Sequence, residues 1–234
     1  WHFVSRLNPA HNSLKTHVLF HRLTFDRSRG VYDKDHFTAY LHLPRNVSYI
    51  EPKFLQRDEN RRYAADLNAN YEAFTLLPPV RNDEPLVRSY FQHYFVNESS
   101  TKPYEPYISD TYLQHVLAET KIVNGLGEPE QWYSLLPPDR YQALKDRIDL
   151  DFAATNTKFF AGDDSVALDL DVKNVESLIV RVFEINTKNY YREHGRVVTT
   201  VINLDAMVAN DTQTCVTTVP PLRRVRPHFE LPSL

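Results

Sequence analysis

At 234 residues the chain is long enough for one large domain or two small ones, and a chain of this size buries roughly 70 to 75% of its unfolded surface. Hydrophobic residues make up 42% and charged residues 24%, a globular composition; the net charge of −3 argues against a nucleic-acid binder, which needs a clustered positive surface. A single cysteine, Cys215, excludes an internal disulfide and argues against a disulfide-rich secreted scaffold, which leaves the cytoplasm or a bacterial cell envelope.

No apolar run reaches the roughly 18 residues that a membrane-spanning helix needs. The chain opens at Trp1 without an initiator Met or a charged-then-apolar leader, and so reads as an excised piece of a longer polypeptide or a processed chain.

Helices come first. Asn12 or Ser13 can cap a helix whose stripe is Leu14, Val18, Leu19 and Leu23, with Arg29-Gly30 as its end. Asp33 caps a second, carrying Phe37, Tyr40 and Leu41, which must stop before Pro44. Arg57 to Arg62 reads as a solvated charge run, followed by a helix over Tyr63 to Phe74. Asp83 caps a helix with Pro85 in its first turn and Leu86, Tyr90, Phe91, Tyr94 and Phe95 as a core-facing stripe. Ser109 or Asp110 caps the next, with Leu113, Val116, Leu117, Thr120 and Val123 inward and Asn124-Gly125 as its C-cap. Pro129 to Leu136 and Asp139 to Ile148 close the helical series.

From Leu150 the period changes. Leu150 to Phe152 and Lys158 to Phe160 are short strand candidates. A clean alternation then sets Val166, Leu168, Leu170 and Val172 toward a core and Ala167, Asp169, Asp171 and Lys173 toward water. Lys173 to Ser177 turns the chain into a second strand, Leu178 to Ile185, apolar on both faces except for Arg181 and Glu184 and therefore expected at the centre of a sheet. A polar loop, Asn186 to Arg196, leads to a third strand at Val197 to Ile202, with further strands at Cys215 to Val219 and His228 to Leu231. Helices followed by strands predict an α+β fold: an N-terminal helical subdomain over residues 1–149 and an antiparallel β-sandwich over 150–234.

The strands Leu170 to Val175 and Leu178 to Ile185 resemble the strand pair of macroglobulin-type β-sandwich modules, as found in α2-macroglobulin-like proteins. The chain also resembles a segment of a family of very long, uncharacterised multidomain proteins. No Cys-Gly-x-x-Gln thioester motif is present, so the resemblance implies a building block and carries no covalent chemistry to any residue here.

Candidate chemistry is sparse. His17 and His21, four apart on the first helix, could present two imidazoles to one metal; a zinc site needs a third ligand, for which Asp26 and His42 are nearest in sequence, and packing is the plainer reading. Glu119 and Glu128 to Glu130 read as solvated carboxylates. Cys215 has no basic neighbour to activate it and reads as a structural thiol. Tyr190, Tyr191, Arg192 and His194 crowd one loop at the end of the sandwich, where binding loops sit, and Arg223, Arg224 and Arg226 form a basic strip that could meet an acidic partner. The sequence points to no cofactor and no catalytic residue. It favours a non-catalytic scaffold or interaction segment whose partners are other domains of the same polypeptide or another protein. The alternative is a hydrolase or carbohydrate-binding module with a site in the cleft between the helical and β parts.

Overall fold

Apolar stripes at helical spacing organise the first two thirds of the chain. The computed structural model describes residues 1–231 except Asp163, Thr200, Ala206, Thr218 and Val219. Its helices in chain order are α1 (Asn12–Ser28), α2 (Lys34–Leu41), α3 (Pro52–Leu55), α4 (Asp58–Arg62), α5 (Glu72–Thr75), α6 (Glu84–Asn97), α7 (Asp110–Asn124), α8 (Pro129–Tyr133) and α9 (Pro138–Asp146). The predicted stripes of α2, α6 and α7 meet in one core with Leu19 and Leu23 of α1, where Phe37 stacks on Tyr90 at 4.8 Å and Phe91 on Phe95 at 5.4 Å; Leu14 and Val18, the other two of the α1 stripe, are half-buried and lie outside that core.

Asp33 caps α2 as expected, its carboxylate accepting from His36 N at 2.8 Å. Asn12 and Ser13 do not cap α1. The Asn12 amide donates to Tyr63 O at 3.0 Å and the Ser13 hydroxyl accepts from Asp66 N at 2.9 Å, so both fix the segment before α5. That segment is not the expected helix. Asp66 and Asn70 accept from the backbone N–H two residues on, at 2.9 and 2.8 Å, and these local turns compete with helix formation. The charge run before it is itself the short helix α4.

Asp83 stands at the start of α6, yet its carboxylate makes no cap. It is fully buried, 2.9 Å from the guanidinium of the equally buried Arg45, and accepts from the Tyr40 hydroxyl at 2.7 Å. Arg45 in turn lies over the Tyr40 ring at 4.3 Å and donates to Leu43 O at 2.7 Å. Burial pushes the Tyr40 and Tyr49 hydroxyls well above the ordinary tyrosine range, so both stay protonated, and Tyr40 is the one that donates to Asp83.

The strands are β1 (Asp149–Phe152), β2 (Ala167–Lys173), β3 (Ser177–Val182), β4 (Asp211–Val216), β5 (Arg224–Val225) and β6 (His228–Glu230). In one antiparallel sheet β2 pairs with β1, β5 and β6; β3 and β4 form the other. Leu170, Val172 and Phe229 make the buried centre between the sheets, with Val175, Leu178, Val180, Cys215 and Val225 packed against it. The class is α+β, helices followed by antiparallel sheets, as the periodicities predict.

Several strand expectations need correction. β2 and β3 are not a hairpin: the turn at Asn174, which takes a left-handed φ of 57°, carries the chain from one sheet to the other. β3 is not central; among the described residues it pairs with β4 alone, and Ile179 on its outer face is exposed. The expected loop after it contains a helix, α10 (Thr187–His194), capped by Asn186, whose side chain accepts from Asn189 N at 3.0 Å, and ended by Gly195 at φ 63°. No described residue of 197–202 is in the expected third strand, and β3 pairs with β4 instead; Thr200 lies outside the described residues. Residues 158–160 form no strand and Phe159 is exposed. The strand expected at Cys215 to Val219 is β4, ending at Val216; Thr218 and Val219 lie outside the described residues.

Candidate functional site

Alternation along β2 assigns Lys173 to water, and the structure buries it. Its ammonium donates to Leu144 O at 2.8 Å and to Arg147 O, carbonyls at the C-terminal end of α9 that no helical N–H reaches, where the helix dipole also favours a cation. Burial lowers the Lys173 pKa. Asn174 adds a bond to Arg147 O at 2.9 Å, and its side-chain oxygen accepts from Leu222 N at 3.3 Å. Leu222 then enters the helical core.

The basic strip divides at this junction. The Arg223 guanidinium lies against Gly125, the left-handed C-cap of α7 at φ 65°; that conformation favours glycine, and a Cβ there would displace the guanidinium. Arg224 meets Asp149 at 3.2 Å, and Arg226 grips Asp171 with two bonds of 2.8 and 2.9 Å.

Beside the junction opens a cleft of about 410 Å³, lined by Arg88, Glu119, Arg140, Arg147, Asp149 and Arg224. Glu119 is not the solvated carboxylate expected from sequence: it is buried between Arg88 at 2.8 Å and Arg140 at 2.7 Å. Asp149 sits between Arg147 at 2.6 Å and Arg224 at 3.2 Å. Burial pushes the Asp149 carboxyl up, but the two guanidinium groups outweigh it and hold the group below the ordinary carboxylate range. At neutral pH Asp149 is a fixed anion, unsuited to donating a proton. Glu128 and Glu130 are exposed, and Cys215 is half-buried on β4.

Tyr190, Tyr191, Arg192 and His194 all lie on α10. The Tyr190 ring meets His194 edge-on at 4.4 Å, while Tyr191 and Arg192 line an open groove with Val197 and Val198. Every residue of α10 is polar or aromatic and none is buried, which is why no apolar stripe announced a helix.

His17 and His21 do come together, with ring centres 4.6 Å apart, but for another purpose. His21 Nε2 donates to Pro78 O at 2.9 Å. His17 Nε2 lies 3.0 Å from the Thr75 hydroxyl, whose own hydrogen goes to Tyr71 O at 2.9 Å; the hydroxyl therefore accepts from His17 Nε2–H. That leaves His17 Nδ1 bare and buried without a partner. Asp26 is held by Arg22 at 2.8 Å and His42 packs on Tyr107 at 4.3 Å. Among the described residues no group of three or more His, Cys, Asp or Glu could hold a metal ion. The histidine pair fastens the turn that follows α5.

The described residues thus form a helical unit followed by two antiparallel sheets, tied together by ion pairs and by side-chain bonds to helix ends and turns. The chain belongs to the actin-binding protein F N-terminal domain family, whose description, Actin-binding protein F N-terminal domain, matches residues 1–148. Residues 178–234 match the family described as AbpF first immunoglobulin-like domain. The chain is similar to Actin-binding protein F of Dictyostelium discoideum, 32% identical over 237 residues, an alignment that covers 99% of this chain and 10% of that protein's length. No solved structure matches. The macroglobulin likeness finds no support in these matches; Leu178 to Ile185 falls in the immunoglobulin-like match, and strands of this kind recur across unrelated sandwiches. No described helix is long and apolar enough to cross a membrane.

Proposed function

We propose that this chain is a non-catalytic interaction segment of a larger polypeptide and that its partner is actin. The observation that carries the reading is the match of residues 1–148, which hold α1 to α9, to a domain named for an actin-binding protein. The cleft chemistry supports it from the other side, because its buried carboxylates are committed to arginines as structural ion pairs. In this reading the helical unit carries the contact and the immunoglobulin-like unit, beginning near Leu150, holds it at a fixed angle through Lys173 and Leu222. Tyr191, Arg192 and the α10 groove form a secondary contact surface. The test is co-sedimentation of the purified chain with actin filaments. Saturable pelleting is expected; a chain that stays in the supernatant at every filament concentration, while remaining folded by circular dichroism, overturns the reading.

A further inference from the structure

We infer that the turn from Tyr71 to Pro79 is the apolar anchor of the actin contact, inserting Phe74 and Leu76 into an apolar recess on the partner. This deepens the actin reading of the preceding subsection and rests on it.

Phe74 is 90% exposed and Leu76 85%, with Ala73, Leu77 and Pro78 also facing solvent, all within six residues. Phe3, Phe25, Val31 and Ile148 of the helical unit are exposed as well, but they lie apart in sequence; an exposed apolar run of this density marks an interaction surface. Leu76 adopts a left-handed conformation, φ 58° and ψ 20°, which an L side chain enters only at a cost. The surroundings hold it there. His17 and His21 tie Thr75 and Pro78 to α1, Thr75 ties back to Tyr71, and the Tyr71 ring packs edge-on to His17 at 5.3 Å. A tip with its conformation already fixed loses little entropy on binding, and a rigid aromatic is the usual core of a binding hot spot.

The charge pattern selects the partner. Between Asp66 and Arg81 the sole charged residue is Glu72. A surface that docked on nucleic acid or an anionic membrane would carry Lys or Arg around its apolar tip. This one carries an acid, so a recess in a protein fits it better than a phosphate-bearing surface. The turn also lies inside residues 1–148, the part that matches the actin-binding family.

The experiment compares the parent chain with a Phe74→Ser, Leu76→Gly double variant by co-sedimentation with actin filaments. Leu76→Gly removes the left-handed penalty, so the variant should melt at the parent's temperature or above it. The expected result is parent binding that changes little between about 50 and 200 mM salt, with a loss of about tenfold or more in the variant. Equal binding by a folded variant, or binding that collapses with salt, overturns the anchor while leaving the actin reading intact. A parent chain that does not pellet at all removes the actin reading and the anchor with it. A parent that pellets with neutral phosphatidylcholine vesicles but not with filaments, its variant staying free, reassigns the tip to a membrane and overturns the inference.

Discussion

The helical part and the sheets both hide apolar side chains, but at different scales. In the helical part the core runs from Leu19 to Leu144 without a break, and it is deep enough to enclose a complete ion pair, Arg45 and Asp83. Between the sheets Leu170, Val172 and Phe229 are fully buried, and the rest of the contact is half-exposed. Leu150 and Phe152 pair with Val172 and Leu170 and so share the inward face of their sheet, yet they remain 52% and 70% exposed because the facing two-stranded sheet is too narrow to cover them. The smaller core is stabilised by its neighbour, through Lys173 at the end of α9 and Leu222 inside the helical core. One part folds around its own centre; the other leans on it.

The sharpest way to break this contrast is Asp83→Ala. Removing one partner strands the Arg45 charge inside the helical core, which costs about 3–5 kcal/mol. Urea melts should show the whole chain destabilised, helices and sheets together; a loss confined to the sheets contradicts the dependence described above. Val182→Asp works from the other side, placing an unpaired carboxylate in the sandwich at a cost of about 2–4 kcal/mol. Because Val182 is buried on β3 and is not a member of the helical core, the β signal should melt early while the far-ultraviolet helical signal keeps its parental midpoint. Leu222→Ala should cost slightly less than either, at about 2–3 kcal/mol, and should lower both transitions.

Mild acid gives a smaller effect. Burial, and after it the neighbouring His21, lowers the His17 pKa from the ordinary 6.5, and burial also lowers His42, His93 and His115. The unfolded chain therefore takes up protons first, so the contribution is full above about pH 6.5 and is lost as pH falls below it toward the folded values. Denaturant melts should show the helical midpoint falling between about pH 7 and about pH 5.5, with a flatter fall in His17→Gln. An unchanged slope in that variant would refute the assigned role of His17. Asp169→Asn marks the floor: its partner is a half-exposed His228 at 2.8 Å, and the change should move the urea midpoint by less than about 0.5 kcal/mol.

The stripes of α1, α2, α6 and α7 and the alternation of β2 were legible because each repeats one period against one core. What was hidden depends on partners distant in sequence. Asp83 reads as a helix cap until Arg45 is folded against it, and Lys173 reads as solvent-facing until the end of α9 arrives to bind it. Asn12 and Ser13 have cap chemistry but spend it on residues 63–66. α10 lacks any apolar periodicity, so only the Asn186 cap and Gly195 could have announced it. Of the candidate site residues, the histidine spacing correctly brought two rings together; what they hold, the carbonyl of Pro78 and the hydroxyl of Thr75, lies more than fifty residues away.

The Lys173 clasp governs how tension travels along the chain. The ammonium joins the last residue of β2 to the last turn of α9, so a pull on the sheets away from the helices loads those carbonyl bonds along with the short backbone between Asp146 and Asp149. The bond to Leu144 O is buried and the one to Arg147 O partly so, which strengthens both while they hold. With Asn174 and Leu222 fastened at the same spot, the attachments must give way together rather than one after another. The boundary between the two units therefore behaves as a brittle joint, stiff under load up to the force at which it fails, where an ordinary linker would stretch.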